Sequence, residues 1–226
     1  MKETRYKKDL AKFDAEKVYS FDEVLELIAG QPKRKFTESV DVAVKLGIDS
    51  KKSDQNVRGS LTLPHSLGKK IKVAVFIDDD KAAEAKEAGA DFIGSDDLVE
   101  KYKDGNIDFD VAVTTPSMMK TVSKLAKVLG PKGLMPNPKL GTVTTDLAAA
   151  VAAAKAGEVQ YRAGKAGVVH AGIGKASFDA GHIAENATAF IEAVRKARPS
   201  GAKGQYIKKI TLSSTMGPGV FVEDVA

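Results

Sequence analysis

Ile71-Lys72-Val73-Ala74-Val75-Phe76-Ile77 is a nearly continuous apolar run. So short a run, rich in β-branched side chains, predicts a strand covered on both faces. The chain then alternates. Lys81 to Gly89 reads as a helix, and Asp91-Phe92-Ile93-Gly94 as a short strand. Ser95 is placed to cap a helix carrying Leu98, Val99 and Tyr102. Phe109 to Thr114 reads as a strand. Ser117 to Leu129 reads as one amphipathic helix with Met118, Val122, Leu125 and Leu129 on a single side. Leu147 to Ala156 is an Ala-rich helix closed by Gly157. Repeated β–α units predict a small, mostly parallel, Rossmann-like three-layer α/β domain over residues 67–159.

On either side the rhythm differs. Ser20-Phe21-Asp22-Glu23 has the form of a capping box, so a helix is expected from there to Gly30, with Pro32 preventing its continuation. Val40, Val42, Val44 and Leu46 alternate with Asp41, Ala43 and Lys45, the pattern of a half-buried strand. Val57, Leu61 and Leu63 suggest another strand, ending at Pro64. Past Gly157 the strands return at Val159–Arg162 and Gly167–Phe178, followed by a long amphipathic helix, Asp179 to Lys196. Both flanks therefore read as α+β with antiparallel strands. The simplest architecture is a discontinuous first domain, 1–66 plus 160–226, interrupted by the second. Two chain crossings near residues 66 and 159 form a double hinge. Residues 2–17 are charged and read as a mobile or helical arm.

The chain has 226 residues and a net charge of +5, with no cysteine and no tryptophan. Disulfides, thiolate catalysis and Cys-based zinc sites are thereby excluded. No apolar run approaches the ~18 residues of a membrane span. The charged start, Met1 to Asp9, lacks the apolar stretch of a signal peptide. Charge is distributed unevenly. Residues 1–66 carry 13 basic and 11 acidic side chains, residues 67–159 carry 13 and 14, and residues 160–226 carry 9 and 5. The flanks are thus +2 and +4 against −1 for the middle, which suggests a polyanionic partner for the flanks.

Three stretches are candidates for contact. Ile210-Thr211-Leu212-Ser213-Ser214-Thr215-Met216-Gly217-Pro218-Gly219-Val220 begins as a strand and turns through hydroxyls, a thioether and glycines. Its amides and hydroxyls can bond phosphate and sugar oxygens; the same residues also fit a plain hairpin turn. Lys33-Arg34-Lys35-Phe36-Thr37-Glu38-Ser39 sets cations beside a ring and three hydrogen-bonding side chains, a set suited to phosphate, ribose and 2′-hydroxyl. A cationic loop with Phe36 tucked into the core fits equally well. Gly130 to Thr142 holds three prolines and three glycines, so no regular element is expected there. It reads as a rigid basic loop, either a stiff connector or a lip on nucleic acid, with Lys132, Met135, Asn137 and Lys139 as its contacts.

Enzyme signatures are missing. A dinucleotide fingerprint needs glycines after the first strand, where this chain has Asp78-Asp79-Asp80, read as a helix N-terminal acidic cluster. Gly172-Ile173-Gly174-Lys175-Ala176 lacks the first glycine and the final Ser/Thr of a P-loop. His65, His170 and His182 have no ligand spacing, and His170 is a structural residue or an RNA contact. No catalytic residue, metal or cofactor is expected.

Lys35-Phe36-Thr37-Glu38-Ser39-Val40-Asp41, Val57-Arg58-Gly59, Leu63-Pro64-His65, Leu129–Thr142, Gly172–Phe178, Glu185-Asn186 and Leu212–Gly219 occur in this order in the ribosomal L-one family. The chain resembles that family, in its bacterial form, over nearly its whole length. The resemblance implies a cytoplasmic protein of the large ribosomal subunit, bound to the mobile rRNA stalk. It also implies binding to its own operon mRNA as a translational repressor, help in releasing deacylated tRNA from the exit site, and a monomer off the ribosome. The RNA contacts it implies are Lys35 to Ser39 and Ser213, Ser214, Thr215, Met216 and Gly217. Phe36 would pack on ribose, Glu38, Ser39 and Thr215 would bond 2′-hydroxyls and bases, and Lys35, Lys165 and Lys175 would meet phosphates. The alternative is a non-ribosomal RNA-binding regulator. Ser66-Leu67-Gly68 departs from the family's Gly-Thr-Gly, and Ser117 from its Asp.

Overall fold

A computed structural model describes residues 6, 10, 14, 17–29, 35–68, 70–78, 82–103 and 105–223. The expected N-terminal arm falls largely outside the described residues, as do Gly30, Pro32, Lys33, Arg34, Asp79 and Asp80. The chain is mixed α/β and divides into two compact units. One comprises Met1–Leu67 with Val159–Ala226, the other Gly68–Glu158.

The first unit is built on a five-stranded sheet in the order β1-β10-β9-β2-β8. Its strands are β1 (Val18–Tyr19), β2 (Ser39–Leu46), β8 (Val168–Lys175), β9 (Ile207–Ser214) and β10 (Val220–Val222). The alternation read in β2 decides its place. Val40, Val42, Val44 and Leu46 are buried, while Ser39, Asp41, Ala43 and Lys45 face the other way. β2 lies antiparallel to both β8 and β9 at the centre of the sheet. β1 pairs parallel with β10, an edge that the sequence reading had not anticipated.

Helices α1 (Phe21–Ala29) and α7 (Ala180–Lys196) contribute to the core on the inner face. Val24, Ile28, Ile183, Phe190 and Ile191 share that core with the inward strand residues. The capping box forms: Glu23 N donates to Ser20 Oγ at 3.3 Å, and Ser20 N to Glu23 Oε2 at 3.1 Å. A separate pair, β3 (Arg58–Thr62) and β7 (Glu158–Arg162), carries Gly59 against Tyr161. A Cβ on Gly59 would lie 2.6 Å from the Tyr161 hydroxyl, so no other residue fits there without a shift.

The second unit holds a parallel three-stranded sheet, β5-β4-β6, with β4 (Val73–Phe76), β5 (Phe92–Gly94) and β6 (Val111–Thr114). Val73 and Val75 join one core cluster and Ala74 and Phe76 another, so β4 is buried on both faces. The clusters include residues of α2 (Ala82–Glu87) and α6 (Leu147–Lys155) on one side and α3 (Asp96–Tyr102) on the other.

Three local expectations are corrected. The helix expected over Ser117–Leu129 is broken into α4 (Met119–Val122), a 3₁₀ turn (Ser123–Leu125) and α5 (Ala126–Lys132). Ser123 Oγ donates to Met119 O at 2.7 Å at the break, a side-chain bond of the kind that bends helices. The stretch 130–142, expected to hold no regular element, supplies the end of α5 and a 3₁₀ turn, Pro138–Leu140. α5 accommodates Pro131 near its end, just before Gly133 turns left-handed at φ 73°. Ser95, expected to cap α3, makes no side-chain cap bond.

Candidate nucleic-acid interface

Two segments 176 residues apart in sequence are joined at one end of the first unit's sheet. Ser39 N donates to Thr215 Oγ1 at 2.9 Å, and Thr215 Oγ1 donates back to Ser39 O at 3.3 Å. Thr215 N also donates to Ser39 O, at 3.0 Å. Antiparallel register makes this junction unavoidable, because Val40 pairs with Ser214. On the other side of β2, Ser39 pairs with Lys175, and Ala176 N donates to Glu38 O at 2.8 Å. One strand end therefore gathers Lys35–Ser39, Lys175 and Ser213–Gly217. The tight turn there is held by Gly217 N donating to Ser214 O at 3.2 Å.

Phe36 and Met216 are each 54% exposed at this end. Phe36 is not tucked into the core, so of the two readings of that loop the exposed ring holds. Lys35, Thr37 and Ser39 are also exposed. Two of the expected contacts are buried: Glu38 is 7% exposed and Ser214 3%. Thr215 has its hydroxyl engaged with the Ser39 backbone, which makes it first a clamp between the segments.

The outer face of the sheet extends this surface in rows. Next to Ser39 and Lys175 come Asp41, Ser213 and Gly172; then Ala43, Thr211 and His170; then Lys45, Lys209 and Val168. A bulge between Val40 and Asp41 skips Ile173 of β8, a device that re-aims side chains near functional surfaces. His170 is exposed on this face. Lys209 lies over the Phe221 ring at 4.6 Å. Asp41, Lys45, Lys209 and Phe221 are not among the residues that the sequence marks as candidate contacts. The alternation of β2 marks Asp41 and Lys45 as outward, but only the β2–β9 register places Lys209 and Thr211 beside them.

Lys165 lies elsewhere. It sits in the turn before β8, at the opposite end from Lys175, in an open depression with Arg58, Arg162, Gln55 and Asn56. The remaining candidates belong to the second unit. Lys132 Nζ donates to Gly105 O at 3.1 Å, Met135 is partly buried against a core cluster, and Asn137 Oδ1 accepts from Lys139 N at 2.9 Å. Leu134, like Met135, is partly buried against that cluster.

Among the described residues no group of three or more His, Asp or Glu is placed to hold a metal ion. No described helix is long and apolar enough to cross a membrane. What the strand end offers is an exposed ring, an exposed thioether, hydroxyls, cations and a fixed backbone: a platform for docking a macromolecule. The family profile described as "Ribosomal protein L1p/L10e family" matches residues 26–218. The protein called "Large ribosomal subunit protein uL1" in Coxiella burnetii (strain Dugway 5J108-111) is 53% identical over 221 residues, covering 97% of this chain and 95% of that one. Its namesake in Chlamydia trachomatis serovar L2b (strain UCH-1/proctitis) is 55% identical over 211 residues, 93% of this chain and 91% of that one. The chain belongs to the ribosomal protein L1p/L10e family.

Proposed function

We propose that this protein is a structural, non-enzymatic component of the large ribosomal subunit in the cytoplasm, and that its first unit grips the rRNA stalk. The junction of Ser39 with Thr215 carries the reading, because it ties together the segments that bear the exposed Phe36 and Met216. Phe36 packs on ribose, the Met216-Gly217 turn approaches the minor groove of a stem, and Ser39 and Ser213 bond 2′-hydroxyls. Lys35 and Lys175 hold phosphates, and the Arg58, Arg162 and Lys165 depression holds more of the backbone. Lys132, Met135, Asn137 and Lys139 make secondary contacts.

The two crossings of the chain between units, Leu67 to Gly68 and Glu158 to Val159, act as a double hinge. Riding on the stalk, the protein assists the release of deacylated tRNA from the exit site. As a free monomer it binds a similar stem in its own operon mRNA and represses translation. These roles rest on the family resemblance. The test is binding of the purified protein to a stalk rRNA transcript across a salt series, with sedimentation of ribosomes in high salt beside it. Tight, salt-dependent binding and co-sedimentation are expected. RNA binding without co-sedimentation favours the non-ribosomal regulator.

A further inference from the structure

Asp41 is a carboxylate in the middle of a face otherwise suited to a polyanion. It is outward on β2, flanked by Ser213 on β9 and Gly172 on β8. Gly172 leaves it room: a Cβ there would lie 3.3 Å from Asp41 Oδ1. Among the described residues no side-chain hydrogen bond or ion pair reaches this carboxylate. Lys175 lies one row from it on one side and His170 one row on the other, with Lys45 and Lys209 in the row beyond His170.

Such a group repels any phosphate laid over it and loses solvation under a docked partner unless the partner supplies a donor. In an RNA stem most base donors are spent on pairing, and only guanine N2 keeps a spare N–H in the minor groove. The wide minor groove displays 2′-hydroxyls. The spacing suits this. Residues two apart on a strand are ~6.7 Å apart, so the Lys175 row on one side and the His170 row on the other each lie one such step from Asp41, as phosphates lie on both sides of a ribose. We infer that Asp41 is a specificity residue of this face, its carboxylate accepting a hydrogen bond from one ribose 2′-hydroxyl of the bound stem. The inference rests on the RNA-binding function proposed above.

The test is a walk of single 2′-deoxy substitutions through the stalk rRNA transcript, measured with the full-length protein and with Asp41→Ala and Asp41→Asn. Wild type is expected to lose about tenfold in affinity at one ribose, the cost of a hydrogen bond to a charged group. Asp41→Ala is expected to bind the unmodified stem about tenfold more weakly and to be indifferent to the deoxy change at that ribose, a non-additivity that marks direct contact. Asp41→Asn, which keeps the shape, controls for folding through its melting curve. If Asp41→Ala binds as tightly as wild type, or every deoxy penalty adds to its own, the inference is overturned while the functional reading stands. If wild type fails to bind the stalk transcript, the functional reading falls and takes this inference with it.

Discussion

Thr215 engages its hydroxyl with the Ser39 backbone as both acceptor and donor. On the proposed RNA-binding reading, its part is to hold Phe36's segment against Met216's turn. Thr215→Ala should weaken stalk RNA binding by about 1–2 kcal/mol, with the salt slope unchanged, and Thr215→Ser should restore most of it. A Thr215→Ser variant as weak as Thr215→Ala would count against the clamp. Asp41 gives a second, independent readout. Burial raises its carboxyl above the ordinary value, with His170 opposing. A raised folded value means that the ionised form disfavours the fold, and that stability is gained as pH falls through it. Asp41→Asn should therefore melt higher than wild type at neutral pH, with the gap closing under acid. The types and order of the candidate residues were legible in sequence, but their facing was not: side-chain chemistry says nothing of it, and Glu38 and Ser214 are only 7% and 3% exposed.

Asn186 on α7 shows how elements are tied together. Its Oδ1 accepts from His65 N at 2.9 Å, and its Nδ2 donates to His65 O at 3.0 Å and to Ile173 O at 2.8 Å. Helix, strand and the Leu63–His65 segment meet at this one fully buried amide. The His65 ring stacks on His182 at 3.9 Å and bonds Glu185 at 2.6 Å, which holds the Glu185 carboxyl below the usual range. Asn186→Ala strands three backbone groups and should cost about 2–4 kcal/mol in chemical denaturation. A loss below 1 kcal/mol would show that water replaces them. Strong local signals were legible at this scale: the Ser20–Glu23 box, the β2 alternation and the spacing of α7 all form as read. Breaks inside a periodic stretch were not. Met118, Val122, Leu125 and Leu129 keep one buried side although the helix beneath them is interrupted, because burial follows the apolar pattern while the backbone yields to Ser123. β1 was invisible, since a two-residue strand carries too little periodicity to read, while β10 returns antiparallel to β9 as the hairpin reading of that turn allowed.

For the whole molecule, the chain's beginning and end supply one sheet while its middle forms a separate compact unit. The change in rhythm at Ile71 and again at Val159, with the basic flanks, made that division readable. The strand order was not, because pairing β2 with β9 is a choice among partners far apart in sequence. Residues 1–66 joined through a short Gly/Ser linker to 160–226 should fold cooperatively and retain stalk RNA binding within about tenfold. A soluble, folded protein of this kind without RNA affinity would show that the middle segment is needed to bind. The most direct measurement is a hydroxyl-radical footprint on large-subunit rRNA, made with wild type and with a Phe36→Ala/Met216→Ala variant of the same melting temperature. One stem protected by wild type and released by the variant is the predicted result. The same stem protected equally by both proteins would contradict the account.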